Sequence, residues 1–497
     1  MSQPSKIDSH PINDKKELVE WFEKGCTTPD KLLIGVEHEK PPFYLSDNKP
    51  VPYQDMSGSR PAIRQWLDKM AAEKGWRQEF EGSNPVELQR GNVNWTLEPG
   101  GQMETGGAPL KNVHQNAQET ESHIREAVEV AGQLGIGLLA AGYHPTHSGK
   151  NMPFVSKSRY MVYRDFIEQK KIPTWLDVIC CTSTVQVNLG YTSEQDMIKK
   201  LRVSLALQPI ATALFANSPF QEGHDSGFQC LRSHKIYNSV GDRYGFMLPI
   251  AFDKDFSFEK FVDYALNTMP LIGVYKGKTF IDAKGEKFQS FMDGTLAVCP
   301  GQRATLTDWS DHLNTIWPEV RLRRFLEMRG TDNGPQEMIK ALPAFWVGLM
   351  YDDQALDHAY EMIKDWTQEE REYLRVMIPQ MGLQTPFMNG TTTVQEIAKN
   401  CLAISEAGLK RRGIKDEHGN DESVYLAPLH EIANSGLNWA QRLLDRYHNV
   451  WNGDINKLFA EMNYENNPSL LKSPTSQPAA EASRLILPGS PDFRIKK

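Results

Sequence analysis

The chain has 497 residues, 40% apolar, 10% aromatic and 24% charged, with 55 basic against 63 acidic side chains and a net charge of −8. That length can bury a large core and hold more than one domain. The acidic balance argues against nucleic acid as a partner, because a phosphate backbone asks for a basic stripe. No apolar run approaches a membrane span, and residues 134–142, the longest, fall far short. The polar first sixteen residues lack the apolar stretch of a secretory signal. The six cysteines have no C-x-x-C spacing, which fits a reducing cytoplasm.

Residues 1–12 read as a flexible leader, followed by a helix over 15–24. Residues 30–43 read as a strand ending in Pro41-Pro42. Residues 61–74 read as an amphipathic helix with Ile63, Trp66, Leu67 and Met70 on one side. The clearest helix is 113–134, where Val113, Ala117, Ile124, Ala127, Val128, Ala131 and Leu134 recur mostly every three or four residues. Cys180 and Cys181 fall in an apolar, strand-like stretch and read as buried thiols. Ser193 is placed to cap a helix over 194–215. Helices are expected over 393–409 and 422–447, in a region with little strand signal. From 466 onward, Pro, Ser and Ala predict a poorly ordered tail. Strands and helices do not alternate as βαβ units, so the fold class is α+β with a mainly antiparallel sheet.

Four stretches set an apolar face against a face of carboxylate, amide or guanidinium: Val36 to Glu39, Trp95 to Glu98, Thr184 to Asn188, and Val320 to Arg329. On a strand, residues two apart share a side. Glu37 and Glu39 therefore point together, as do Gln186 and Asn188, and as do Arg321, Arg323, Glu327 and Arg329. Val320, Leu322, Leu326 and Met328 take the opposite side. Acids gathered without lysines on the same strands repel one another unless a cation sits among them. Arginines nearby ask for an anion, and a divalent metal beside phosphate satisfies both.

Glu98-Pro-Gly-Gly-Gln-Met-Glu104 reads as a hairpin. A three-residue loop sets Glu98 opposite Gln102, with Glu104 on the same side roughly 7–8 Å away. A two-residue loop would put the carboxylates on opposite faces. Same-side placement suits Mg²⁺ ions about 3.5–4 Å apart, which prefer hard oxygens and share them with substrate phosphates. Each feature alone has a plainer reading. An E-x-E pair is usually a solvated face, Glu327 with Arg329 a structural ion pair, and His38, His114 and His234 structural groups. Of these histidines, only His234, two residues from Arg232, is a candidate near the site. No P-loop, H-E-x-x-H or zinc-spaced cysteine–histidine group is present, and Gly135-Ile-Gly137 with Gly142 matches the dinucleotide fingerprint poorly. ATP, if used, is held through metal and arginines on a sheet.

The strings GVEHEK (35–40), LEPGGQMETGGAPLKNVHQ (97–115), TSTVQVNLG (182–190), LALQPIATALFANSPF (205–220), LRSH (231–234), PEVRLRRFLEMRG (318–330) and LPAFWVGLMYDD (342–353) resemble the plant and α-proteobacterial glutamate–cysteine ligases. The resemblance spans about 14–450. It implies a glutamine-synthetase-like catalytic fold, a curved antiparallel sheet forming a funnel surrounded by helices. Residues 13–390 would be the catalytic ligase domain, 391–465 a helical region packed on it, and 466–497 the tail. It also implies an activity. ATP would phosphorylate the γ-carboxylate of L-glutamate and the amine of L-cysteine would displace phosphate, giving γ-glutamylcysteine, the first step of glutathione biosynthesis.

By the same resemblance, Glu37, Glu39, Glu98, Glu104 and Glu327 would hold two or three Mg²⁺ ions. Gln186 and Asn188 would border nucleotide and metal. Arg232 and Arg329 would neutralise the transferring phosphoryl group and the glutamate carboxylates. Arg159 and Tyr160 would face cysteine, and Arg243 a substrate carboxylate. Partners would be small molecules only, with no nucleic acid or membrane, on a monomer or weak homodimer. The chain departs from its relatives at Pro41-Pro42-Phe43 and at Met103 to Gly106, which leaves open a ligase joining glutamate to another amine. Ala117, Ala283, Val298 and Lys340 stand where plant members carry regulatory cysteines, so no such redox switch is expected. A guanidino kinase or a non-catalytic scaffold fits less well, because the acids would gain nothing without metal.

Overall fold

The computed structural model describes residues 8, 10–172, 174–238 and 243–466. Its centre is an eight-stranded antiparallel sheet. In chain order the strands are β1 (Ile34–Lys40), β2 (Arg77–Glu81), β3 (Asn84–Arg90), β4 (Val93–Leu97), β5 (Met103–Gly106), β6 (Thr184–Leu189), β7 (Val320–Leu322) and β8 (Leu326–Asp332). Across the sheet they run β7-β8-β6-β1-β5-β4-β3-β2. β1 thus lies between β5 and β6, and the first and last of the four alternating stretches meet through β6. Alternation explains the two faces. Ile34, Val36, Trp95, Leu97, Val185, Val187, Leu322 and Met328 are all buried on one side, under helices α1 (Val113–Gln133), α2 (Glu194–Leu214) and α3 (Gln336–Met350).

Several boundaries move for local reasons. The first strand is shorter than 30–43, because Pro29 opens a single 3₁₀ turn and the ladder of β1 ends before Pro41. Pro42–Tyr44 then pairs separately with Ile136–Leu138. The 320–329 stretch is not one strand but a hairpin turned at Arg323 to Phe325, where the Arg323 N–H reaches the Phe325 carbonyl over 2.8 Å. Its parity survives because Arg321 pairs with Glu327 and Val320 with Met328. Cys180 and Cys181 end a helix, Trp175–Cys181, rather than lying in a strand, though both are buried free thiols as expected. Ser193 does cap α2, its side chain accepting from the Asp196 N–H.

The 422–447 helix is broken into Glu422–Leu426, Ala427–Ser435 and Trp439–Asn449, with Gly436 left-handed at φ 72° closing the middle piece. The helix Val394–Arg412 crosses α3 so closely that a Cβ on Gly348 would lie 2.3 Å from the Ser405 carbonyl. The expected leader is not loose throughout. Ile12 is fully buried, and its N–H donates to the Ala304 carbonyl at 2.8 Å. The expected tail, 467–497, lies outside the described residues. No helix among the described residues is long and apolar enough to cross a membrane.

Candidate active site

The hairpin between β4 and β5 has the three-residue loop. Glu98 N–H donates to the Gln102 carbonyl and Gly101 N–H to the Glu98 carbonyl, each at 2.9 Å. Glu98 and Glu104 therefore share the wet face. Register extends the row: Glu39 lies opposite Glu104, and Glu104 opposite Thr96. Glu87, opposite Thr96 in β3, adds a further carboxylate to the same row and was not foreseen.

Each acid in this row has found a protein donor. Glu39 accepts from the Thr184 N–H at 2.8 Å and its hydroxyl at 3.1 Å. The Thr96 hydroxyl donates to Glu104 at 2.9 Å, and the Asn188 amide to Glu37 at 2.8 Å. Loss of water still dominates. Burial pushes the Glu39 carboxyl well above its ordinary range, with Glu104 and Glu98 adding to it. Burial likewise raises Glu37 and Glu104. The five acids do not converge on one point. Among the described residues no three His, Cys, Asp or Glu side chains form a ready-made metal cage. Each acid has a donor of its own, while Glu98 and Glu104 also meet side chain to side chain.

Glu327 differs from the rest. Arg321, across the β7–β8 hairpin, grips both its oxygens at 2.7–2.9 Å, and Arg329 stands 3.8 Å away. Burial opposes its ionisation, but Arg321, Arg329 and Arg323 overcome that and hold it at about 2. The turn that makes the hairpin brings Arg321, more than the Arg329 of the plainer reading, onto Glu327.

Beside the sheet opens a cavity. Glu39, Glu98, Arg159, Tyr160, Arg232 and Arg329 line it, six of the residues expected from the sequence, together with Thr184 and Glu319. An aromatic wall of Trp175, Tyr244, Trp317 and Tyr163 completes it, with ring centroids 5.5–6.5 Å apart. That wall had no short-range signal, since its members come from four separate segments. Arg232 is fixed by Asp332 at 2.7 Å and by the Gly330 carbonyl. Tyr160 turns its hydroxyl to the Leu97 carbonyl at 2.6 Å, where Lys157 also donates at 2.9 Å. It anchors the strand that carries Glu98 and offers the cavity its ring.

Glu37, Glu104, Glu327, Gln186 and Asn188 sit on the sheet beneath the cavity lining. Arg243 does not reach it. It is buried against the Thr315 carbonyl at 2.6 Å and the Pro270 carbonyl, bracing a loop. His234 stacks on Phe228 at 3.8 Å and is likewise off the lining. His38 faces the core beside Lys40, and His114 bonds Tyr425 at 3.1 Å, both structural.

The donor set fits Mg²⁺ and a phosphate group. Gln186 Oε1 and Asn188 Oδ1 are buried without a hydrogen-bond partner, as are Arg329 Nη1 and Arg159 Nε. Hard oxygens and buried guanidinium N–H groups thus wait on one face, and unsatisfied buried polar groups are costly unless a ligand completes them.

The fold is α+β, an eight-stranded antiparallel sheet with acids and arginines side by side at one cavity. The solved glutamate–cysteine ligase of Francisella tularensis in complex with AMP matches it with a TM-score of 0.52 at 10% identity, over 88% of this chain and 89% of that one, a likeness of fold alone. The family model described as glutamate-cysteine ligase family 2 matches residues 33–461, and the chain belongs to that family. It is 43% identical over 463 residues to the chloroplastic glutamate–cysteine ligase of Medicago truncatula, covering 93% of this chain and 87% of that protein. With the chloroplastic enzyme of Arabidopsis thaliana it shares 42% over 464 residues, covering 93% and 85%. These relatives overturn the cytoplasmic expectation, which rested on a leader and cysteine pattern that do not report location.

Proposed function

We propose that this chain is an ATP-dependent ligase that joins L-glutamate, through its γ-carboxylate, to the amine of L-cysteine by way of a γ-glutamyl phosphate. The product is γ-glutamylcysteine, the first intermediate of glutathione biosynthesis. The observation that carries this reading is the meeting, at one cavity of a member of this family, of an acid row and arginine N–H groups that make no hydrogen bond.

Glu39, Glu98 and Glu104 would hold Mg²⁺ with Glu37, which Asn188 orients. When bound, Mg²⁺ supplies charge neutralisation for the triphosphate and the γ-carboxylate. Glu327 is the weakest of the five as a ligand, because it would have to release part of Arg321. It serves better as the fixed anion that keeps Arg321 and Arg329 charged and aimed. Arg329 and Arg232 face the transferring phosphoryl group from a low-dielectric wall, where a preorganised cation gains most as charge develops. Arg159 and the aromatic wall bind the amino-acid substrates.

The departures from the family pattern fall away from the cavity lining. Pro42 and Phe43 lie in the small outer ladder, Phe43 packs 5.0 Å from Phe459, and Met103 is buried on the core face. The test is phosphate release with ATP, Mg²⁺, glutamate and a panel of amines. Cysteine is expected to be required, and release indifferent to cysteine would overturn the assignment.

A further inference from the structure

Cysteine carries its α-amine as an ammonium at neutral pH, and an ammonium has no lone pair to attack a carbonyl. The reaction therefore needs a base within reach of the cavity. Among the described residues that line it, Glu39 and Glu98 are committed to the cation. Arg159, Arg232 and Arg329 stay protonated. Burial raises the phenols of Tyr160, Tyr163 and Tyr244, which keeps them neutral and poor acceptors. No histidine, lysine or cysteine lines the cavity in that set. One carboxylate remains.

We propose that Glu319 is the general base that takes the proton from the incoming amine, a step that rests on the acyl-phosphate reading above. Glu319 continues β7: its carbonyl accepts from the Arg329 N–H at 3.3 Å, and its own N–H donates to the Phe246 carbonyl at 3.0 Å. Two residues after Trp317 of the aromatic wall and bonded to the backbone of Arg329, it stands between amine-binding and phosphoryl-binding walls. Its carboxylate occupies space that only a glycine at 330 leaves, since a Cβ there would lie 2.4 Å from Glu319 Oε2. Arg232 and Arg329 face it from the site, Arg375 from behind at 3.7 Å, with Glu372 beyond. Burial raises its proton affinity while the three arginines pull the other way, and burial prevails.

Behind Glu319 lies a second, small hollow. Glu319 lines it together with Thr212, Ser233, Arg375, Ile378 and two prolines. Arg375 Nε and both amide atoms of Gln208, packed against the same glycine, are buried without hydrogen-bond partners.

The step balances. An ammonium N–H bond breaks and its proton goes to a Glu319 oxygen. The freed lone pair forms the C–N bond at the γ-carbonyl. The C–O bond to phosphate breaks, phosphate leaves with that electron pair, and the second nitrogen proton departs on a phosphate oxygen.

The test separates the two half-reactions of the full-length protein. Acyl-phosphate formation is read as positional oxygen-isotope exchange in ATP with glutamate alone. Amide formation is read with cysteine and with hydroxylamine, which is already neutral at neutral pH. In Glu319→Gln, γ-glutamylcysteine formation should fall about 100-fold or more, while exchange and hydroxamate formation change by only about 2–3-fold. Equal loss with both amines and in exchange would make Glu319 a mere support for the arginines and overturn the proposal, as would near-wild-type amide formation. Glu319→Asp keeps the charge among the arginines should the amide not fold. It too should lose more rate with cysteine than with hydroxylamine, and equal losses count against the base. Absence of exchange in the wild-type protein overturns the acyl-phosphate reading itself, and the proposal with it.

Discussion

The two ends of the wet face solve the same problem in opposite ways. On β7 and β8, Glu327 is buried inside a fork of arginines, so its charge is compensated by the protein. On β1, β4 and β5, Glu39, Glu98 and Glu104 share one side, where hydroxyl, amide and backbone N–H donors meet Glu39 and Glu104 and the Tyr160 hydroxyl meets Glu98. The first end is complete as folded. At the second, burial and neighbouring acids raise Glu39 and Glu104, and the contrast sets a charge fixed by arginines against carboxyls crowded together on one sheet.

The largest effect tests the compensated end. Arg321→Met should strip a buried carboxylate of its partner and lower unfolding free energy by about 3–5 kcal/mol in urea titrations. A loss below about 1 kcal/mol would show that Glu327 is not held by that fork. The sign with pH follows. The Glu327 carboxyl lies at about 2 in the folded chain against an ordinary 4.5. Its contribution is therefore present above 4.5 and lost as pH falls toward 2, so wild type and Arg321→Met should converge in stability across that window.

Next comes the cavity arginine. Arg329→Ala should lower turnover about 10²–10³-fold with an unchanged circular dichroism spectrum, and initial rates near wild type would remove Arg329 from the site. The uncompensated end should behave inversely to the first. Glu104→Gln is expected to lose turnover by about 100-fold or more, yet to keep or raise the melting temperature of the metal-free protein, because it relieves repulsion. The increase in melting temperature on adding Mg²⁺ with nucleotide should shrink in the same variant. A metal-free protein clearly destabilised by Glu104→Gln would erase the distinction. Smallest is Arg243→Ala, which should lower stability by about 1–3 kcal/mol through lost carbonyl contacts. Its KM for cysteine should stay at the wild-type value, and a selective rise in KM would restore Arg243 to the site.

Much of this was legible in the chain. Period-two alternation on short strands gave the two faces, and even spacing kept Glu37 with Glu39 and Arg321 with Glu327 despite the misread hairpin. Capping residues such as Ser193 marked helix starts because a side-chain oxygen meets its N–H locally. What failed was long-range. Arg243 carried the right chemistry but lies in a bracing loop. Glu87 joined the acid row only through strand order, and Trp175, Tyr244 and Trp317 converge from distant segments. Gly436, by turning left-handed, broke a helix that composition alone had run through.

Sequence by itself determined which side of each strand is wet, because a backbone that flips every residue leaves no other choice once the apolar side is buried. The tertiary structure decided which wet sides meet. Strand order set Glu39 against Glu104 and drew Arg321 onto Glu327, and only that pairing tells a carboxylate gripped by an arginine from carboxyls crowded against one another.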